Sequence, residues 1–310
     1  MGSGQGHQHG LDHERGRAQD RGRLRLVLVV TLSVAAAQFV GGLLSGSLAL
    51  IADSGHMVTD AAAVLLALSA SYVATRPPNP RSTFGYHRAE ILAALLNALV
   101  LLGVCGFLAY AGIRRLASPG TVDAPLMLVF AGVGLAANLV SLGLLAARRN
   151  ESLNLRGAFL EVLGDAMGSG AVIVAGVVIA LTGFDRADPI ASLLIAVLIL
   201  PRAWSLLRDV LAVLLESAPA DVDMDSVRDH LAGVSGVVDV HDLHAWSITT
   251  GMPALSAHIC VTEQALQARG VGQILDELEH CVAEHFGIEH ATFQVEPERH
   301  QEHEPGLPHR

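Results

Sequence analysis

Two short stretches of this 310-residue chain set chemically matched side chains at the same interval. In A-D-S-G-H-M-V-T-D, residues 52–60, His56 and Asp60 stand four apart; in E-V-L-G-D, residues 161–165, Glu161 and Asp165 do the same. Residues at i and i+4 share one face of a helix, so each pair converges on a point. Two such helices facing each other would present four nitrogen and oxygen donors, enough to surround a divalent metal tetrahedrally. Both stretches lie in long apolar runs, where a charged side chain costs about 2.5–3.5 kcal/mol even on the lenient insertion scale. Three carboxylates at that depth require a cation, protons or water. A single buried aspartate would fit a polar seam between helices; two matched pairs in separate runs point to a metal. Asp53, three residues before His56, lies near the same face. Three readings stay open for it: an acceptor that supports the ligands, a carboxylate on an ion path, or a residue at a helix start.

The elements that must position these groups are membrane helices. The chain is 51% hydrophobic and 16% charged, with mean hydropathy +0.46, whereas an ordinary soluble domain carries roughly a quarter charged residues. That excludes a soluble or disordered chain. Cys105, Cys260 and Cys281 form no CxxC pair and no disulfide framework. Six runs are long and apolar enough to span a bilayer: 26–44, 48–74, 89–111, 125–147, 158–182 and 189–207. The first is preceded by an Arg- and His-bearing segment and followed by no cleavage site, so it reads as a span and not as a signal peptide. With the N-terminus inside, eleven arginines before the last span fall in cytoplasmic segments and three in external loops. This positive-inside bias and the even number of spans predict both termini in the cytoplasm; the expected location of this multi-pass protein is the cell's inner (plasma) membrane.

Beyond residue 208 the texture changes. Residues 209–310 hold 18 of the 30 acidic side chains against four arginines, and no basic patch with interleaved aromatics argues for nucleic acid. Residues 222–231 read as a helix, 237–248 and 253–261 as strands, 264–286 as a helix and 290–296 as a strand. The αββαβ order suits a small ferredoxin-like α+β sandwich with helices on one sheet face. Regular alternation puts His290, Thr292, Gln294 and Glu296 on one face, and Ser256, His258 and Cys260 likewise. His241 and His244, three apart, would point to opposite faces of a regular strand. The expected organisation is a disordered His-containing tail over 1–23, a six-helix transmembrane domain over 24–208, a cytoplasmic metal-binding domain over 209–297, and a disordered tail over 298–310.

The sequence resembles the cation diffusion facilitator family, in its zinc-exporting branch. The resemblance rests on S-L-A-L-I-A-D-S-G-H-M-V-T-D-A (47–61), T-F-G-Y-H-R-A-E-I-L-A (83–93), N-L-R-G-A-F-L-E-V-L-G-D-A (154–166), H-D-L-H-A-W-S-I (241–248) and H-A-T-F-Q-V-E (290–296). It implies six spanning helices, a cytoplasmic metal-binding domain, a homodimer, and exchange of a divalent metal for protons. It places the intramembrane ligands at His56, Asp60, Glu161 and Asp165. For the cytoplasmic domain it implies His241, His258 and Glu296 as ligands, with His290 and His244 as further candidates. Arg88 and Glu216 fall where the family carries charges at the membrane–cytoplasm junction; an interlocking ion pair and two unrelated interfacial charges both remain open.

One departure bears on selectivity. The zinc branch carries His where this chain has Glu161, so the set becomes one imidazole and three carboxylates. Carboxylate-rich sites suit Mn²⁺ better than imidazole-rich ones do, while His56 keeps Zn²⁺, Co²⁺ and Fe²⁺ in range. The function implied is export of Zn²⁺ from the cytoplasm against protons. The alternatives are the same antiport with Mn²⁺, Fe²⁺, Co²⁺ or Cd²⁺, and a membrane-bound metal sensor that moves no ion. Neither a phosphate-cradling GxxxxGK[ST] nor an HExxH occurs, which argues against an ATP-driven pump and a metallohydrolase. The chain is expected to be a secondary transporter and no enzyme, with divalent metal as substrate and regulatory ligand and with no prosthetic group.

Overall fold

The structure is a computed structural model, and it describes residues 28–146 and 153–300. The N-terminal tail 1–23 and residues 301–310 of the C-terminal tail lie outside the described residues. Six long helices come first: α1 (Leu28–Ser45), α2 (Leu48–Ala74), α3 (Arg88–Ala117), α4 (Ala124–Ala146), α5 (Leu153–Thr182) and α6 (Ala187–Leu214). Each is long and apolar enough to cross a bilayer. Then follow α7 (Met224–Ala232), β1 (Val237–Thr249), β2 (Met252–Val261), α8 (Glu263–Phe286) and β3 (His290–Pro297). The chain divides into two compact units, one of residues 1–66 and 96–205, the other of 67–95 and 206–310.

The first unit is the helical bundle. Its core is built largely of small residues, among them Ala49, Ala52, Ala131, Ala175, Ala191 and Ala203, with Leu101, Leu108 and Met127 between them. Small side chains let helix backbones approach closely, which is how helices associate where no hydrophobic effect drives them. Leu44, Leu65, Phe107, Val140 and Leu181 stand exposed on its outside. In water this would be an aggregating surface, and in hydrocarbon it is the required one.

The start of α2 is held by a side chain 140 residues further along the sequence. Asp188, fully buried in the first turn of α6, accepts from Ser47 Oγ at 2.6 Å and from the backbone N–H groups of Leu48 at 2.8 Å and Ala49 at 3.1 Å. These are amides that a helix start leaves without partners, and a carboxylate also suits the positive end of the helix dipole. Arg115 of α3 donates to Asp188 Oδ2 at 3.3 Å and to Gly46 O at 2.6 Å. The helix that carries His56 and Asp60 is thus fixed at its first turn.

The second unit contains a three-stranded sheet in the order β1-β2-β3. β1 and β2 form an antiparallel hairpin, and β2 and β3 run parallel across the α8 crossover. Val227 and Leu231 of α7 and Ile274, Leu278 and Val282 of α8 pack on the apolar sheet face of Val240, Leu255, Ala257 and Ile259. The αββαβ order read from the sequence is present. β1 is not regular, however. Its register shifts between His241 and His244, where Asp242 takes a positive φ of 48°. In the same unit Thr249 donates to Glu90 at 3.1 Å, and Arg88 Nη2 lies 3.1 Å from Glu216 Oε1.

Candidate metal centre

Helices α2 and α5 meet as their spacing requires. One ligand atom from each of His56, Asp60 and Asp165 lies within 4.8 Å of the others. His56 Nε2 is 3.3 Å from Asp60 Oδ2, one helical turn away. Asp60 and Asp165 are buried, and His56 is nearly so. Several of their polar atoms are enclosed without a hydrogen-bond partner: His56 Nδ1, both oxygens of Asp60, and Asp165 Oδ1. Buried polar groups left unpaired are costly, so a cluster of them marks a place where a cation or protons complete the bonding. One neutral imidazole and two carboxylates suit a borderline divalent ion.

Glu161 is placed differently. Its carboxylate is gripped by Arg202 of α6 in a two-pronged ion pair, Nη1 to Oε1 and Nη2 to Oε2 both at 3.0 Å. Arg202 Nη1 also approaches Asp60 Oδ2 at 3.7 Å. The structure therefore brings three of the four expected membrane ligands to one point and sets the fourth beside them, engaged by a guanidinium. Asp53, His56, Glu161 and Arg202 line one cavity. Arg202 is the one arginine inside the six apolar runs, a signal that the sequence reading did not use. The i,i+4 pattern draws attention to α2 and α5 and passes over α6.

Asp53 lies in the second turn of α2, which removes the helix-start reading. It is 1% exposed and accepts from Gln38 Nε2 of α1 at 2.9 Å and Ser169 Oγ of α5 at 2.8 Å. Asn138 of α4 reaches the same Ser169 hydroxyl at 3.5 Å. Asp53 Oδ1 lies against Gly168, where an added Cβ would overlap it. The Asp53 carboxylate thus joins α2 to α1 and α5, with α4 linked through Ser169, one turn from His56.

In the soluble domain the shift in β1 corrects the regular-strand expectation. His241 pairs with His258 and His244 with Ser256, and positions 256 and 258 lie on one face of β2. Directly opposed residues share a face, so the extra residue at the bulge returns His244 to the polar side that holds His241. Two overlapping groups form there: His241, His258 and Glu296, and Asp239, His241 and Cys260. His258 Nδ1 is 2.9 Å from Glu296 Oε1, while Glu296 Oε2 is buried without a hydrogen-bond partner. Asp242 lies between the imidazoles, 2.9 Å from His244 and 3.9 Å from His258. The hydrogen bond with His244 holds its carboxyl below the usual aspartate range. His244 lies at the edge of these groups and His290 outside them. Six residues up β3 from Glu296, His290 is about 20 Å away at strand rise, and its ring packs edge-on against Phe84 at 5.2 Å. It cannot share an ion with Glu296.

Six spanning helices enclosing an acid–imidazole cluster, joined to an α+β domain with a second such cluster, define a metal-handling multi-pass membrane protein. The chain belongs to the cation efflux family of metal transporters: residues 24–215 match the cation efflux transmembrane domain and residues 219–298 the cation efflux protein cytoplasmic domain. It is 40% identical over 296 residues to the metal cation efflux system protein CzcD of Cupriavidus metallidurans, spanning 96% of this chain and 90% of that protein. It is 40% identical over 276 residues to the zinc transporter ZitB of Escherichia coli, spanning 88% and 87%. Against the cadmium, cobalt and zinc/H(+)-K(+) antiporter of Bacillus subtilis it is 35% identical over 292 residues, spanning 94% and 93%. Among solved structures, the metal-bound C-terminal domain of the CzcD transporter matches with 32% identity and a TM-score of 0.22, covering 24% of this chain and 99% of that one.

Proposed function

We propose that this protein exports a divalent cation, Zn²⁺ foremost, from the cytoplasm in exchange for protons, working as a homodimer in the cell's inner membrane with both termini in the cytoplasm. The observation that carries the reading is the meeting of His56, Asp60 and Asp165 from two spanning helices, with buried donor atoms left unpaired. Metal ligands must be deprotonated to bind, so the same groups hold either the ion or protons. Ionised and facing inward, they take the ion from the cytoplasm. Facing outward, they exchange it for protons and return, as alternating access requires. An inside-negative potential opposes cation export by about 2.3 kcal/mol per charge per 100 mV, and inward proton movement offsets this. The names of the relatives, which include zinc and cadmium–cobalt–zinc transporters, agree with a borderline ion as cargo.

The polar sheet face, with His241, His258 and Glu296 and with Asp239 and Cys260 alongside, is proposed to bind the same ions as they accumulate in the cytoplasm. Arg88 and Glu216 are proposed to interlock the start of α3 with the segment after α6. The test is flux into proteoliposomes. Zinc uptake should follow an acid-inside gradient, and Asp60→Asn should abolish it. Flux indifferent to the gradient would refute antiport, and binding without flux would make the protein a sensor.

A further inference from the structure

Helix α6 carries a charge that neither the paired motifs nor the ion's chemistry demands. Arg202 lies 15 residues after Ala187 and 12 before Leu214, midway along a spanning helix and next to Pro201. A guanidinium stays protonated at any working pH, so it needs an anion at that depth. Its two parallel bonds to Glu161 are the fork-to-carboxylate geometry that arginine forms and lysine does not. The unpaired buried atoms of the cluster belong to His56, Asp60 and Asp165, and none belongs to Glu161. Glu161 is therefore engaged by Arg202 on both oxygens, whereas Asp60 meets His56 Nε2 at 3.3 Å and the same guanidinium at 3.7 Å, both short of a hydrogen bond.

We infer that Arg202 is the fixed counter-cation of Glu161, which keeps that carboxylate out of the transported ion's coordination and sets the site's preference for borderline over hard divalent cations. The inference rests on the transport reading proposed above. With the pair closed, the guanidinium cancels one carboxylate, and the ion meets one imidazole, two aspartates and a net charge of −2. That is the charge of a site with two imidazoles and two aspartates. With the pair open, Glu161 would join the ion, the donors would become mostly carboxylate oxygens and the charge would become −3. Such a set is harder, and it shifts preference toward Mn²⁺. The pair also leaves a coordination position for water, so that the ion is held by three protein ligands and is more easily given up.

The experiment compares Zn²⁺ and Mn²⁺ flux into proteoliposomes for the native chain, Arg202→Gln, Glu161→Gln, the double variant, and Asp60→Asn as the control for the site itself. Arg202→Gln should raise the Mn²⁺-to-Zn²⁺ ratio by about tenfold, the scale on which groups behind a metal site act. Glu161→Gln should lower both fluxes by at least about tenfold, because the unpaired guanidinium turns on Asp60. The double variant should recover zinc flux toward the native value. If Glu161 is instead a ligand, the double variant stays as poor as Glu161→Gln, and the inference is overturned. An unchanged metal ratio in Arg202→Gln also overturns it, since a merely structural bridge would move both metals together. Should Arg202→Gln fail to fold, Arg202→Lys keeps the charge but loses the fork, and it should give an intermediate ratio; a native ratio refutes the inference. Flux that survives Asp60→Asn would instead defeat the transport site, a different failure from loss of rescue.

Discussion

Replacing Asp188 with alanine removes the anchor on which α2, the helix of His56 and Asp60, starts. The carboxylate receives hydrogen bonds from Ser47 Oγ, the Leu48 and Ala49 amides, and Arg115, all between 2.6 and 3.3 Å. Alanine leaves two buried amides of α2 without an acceptor, each costing about 1–3 kcal/mol. Arg115 is one-third exposed and keeps its bond to Gly46 O, so the lost ion pair adds about 1 kcal/mol or less. Taking the amides near the middle of their range, the total is about 4–5 kcal/mol, roughly a thousandfold or somewhat more in the folding equilibrium. Arg115→Met removes the ion pair and the bond to Gly46 O but leaves both α2 amides capped, and should cost about 2 kcal/mol. Unfolding of both variants in detergent micelles, followed by tryptophan fluorescence, separates the two contributions. Zinc flux measured in parallel should fall further in Asp188→Ala than in Arg115→Met, because α2 carries two of the proposed ligands, His56 and Asp60. Equal damage from the two variants, or an Asp188→Ala variant as stable as the native chain, would refute the capping argument.

Other substitutions test other parts of the account. Gly168→Ala drives a methyl into Asp53 and should cost about 1–3 kcal/mol in micelle unfolding, while Gly170→Ala, with open space around it, should be tolerated. Reversing Arg88 or Glu216 singly should change stability by no more than about 1 kcal/mol, because both side chains are exposed. If the pair interlocks, each reversal impairs flux and the double reversal restores it; no rescue counts against interlocking. His241 belongs to both soluble-domain groups, so His241→Ala should remove metal binding there, measured by equilibrium dialysis in an Asp60→Asn background, and His290→Ala should not. Asp242 should titrate below an ordinary aspartate by NMR, with His244→Ala moving it back up. A lowered carboxyl contributes stability at neutral pH, and that contribution is lost as the pH falls through its folded value.

The bundle and the meeting of His56, Asp60 and Asp165 were legible because both signals are local. Apolar runs of spanning length admit only helices, and the i,i+4 pairs on α2 and α5 name one face of each. The partners of those faces were not legible, since they come from elsewhere in the chain. Gln38, Asn138 and Ser169 around Asp53 belong to three other helices, and nothing in their spacing announces them. Asp188 reads as a helix-start acid beside Pro189, and only the fold reveals that it caps a different helix. Arg202 was visible as a lone charge in an apolar run, but its bond to Glu161 required the packing of α6 on α5. In the soluble domain the strands followed from alternation, whereas the shift at Asp242 did not. One bulged residue was enough to bring His244 to the face from which regular alternation had excluded it.

The most direct measurement is anomalous diffraction at the zinc edge from zinc-soaked crystals of the full chain. The account predicts a peak bonded to His56, Asp60 and Asp165 at about 2.0–2.2 Å, with Glu161 still on Arg202. Zinc confined to the soluble domain, with no peak between α2 and α5 in any captured conformation, would contradict it.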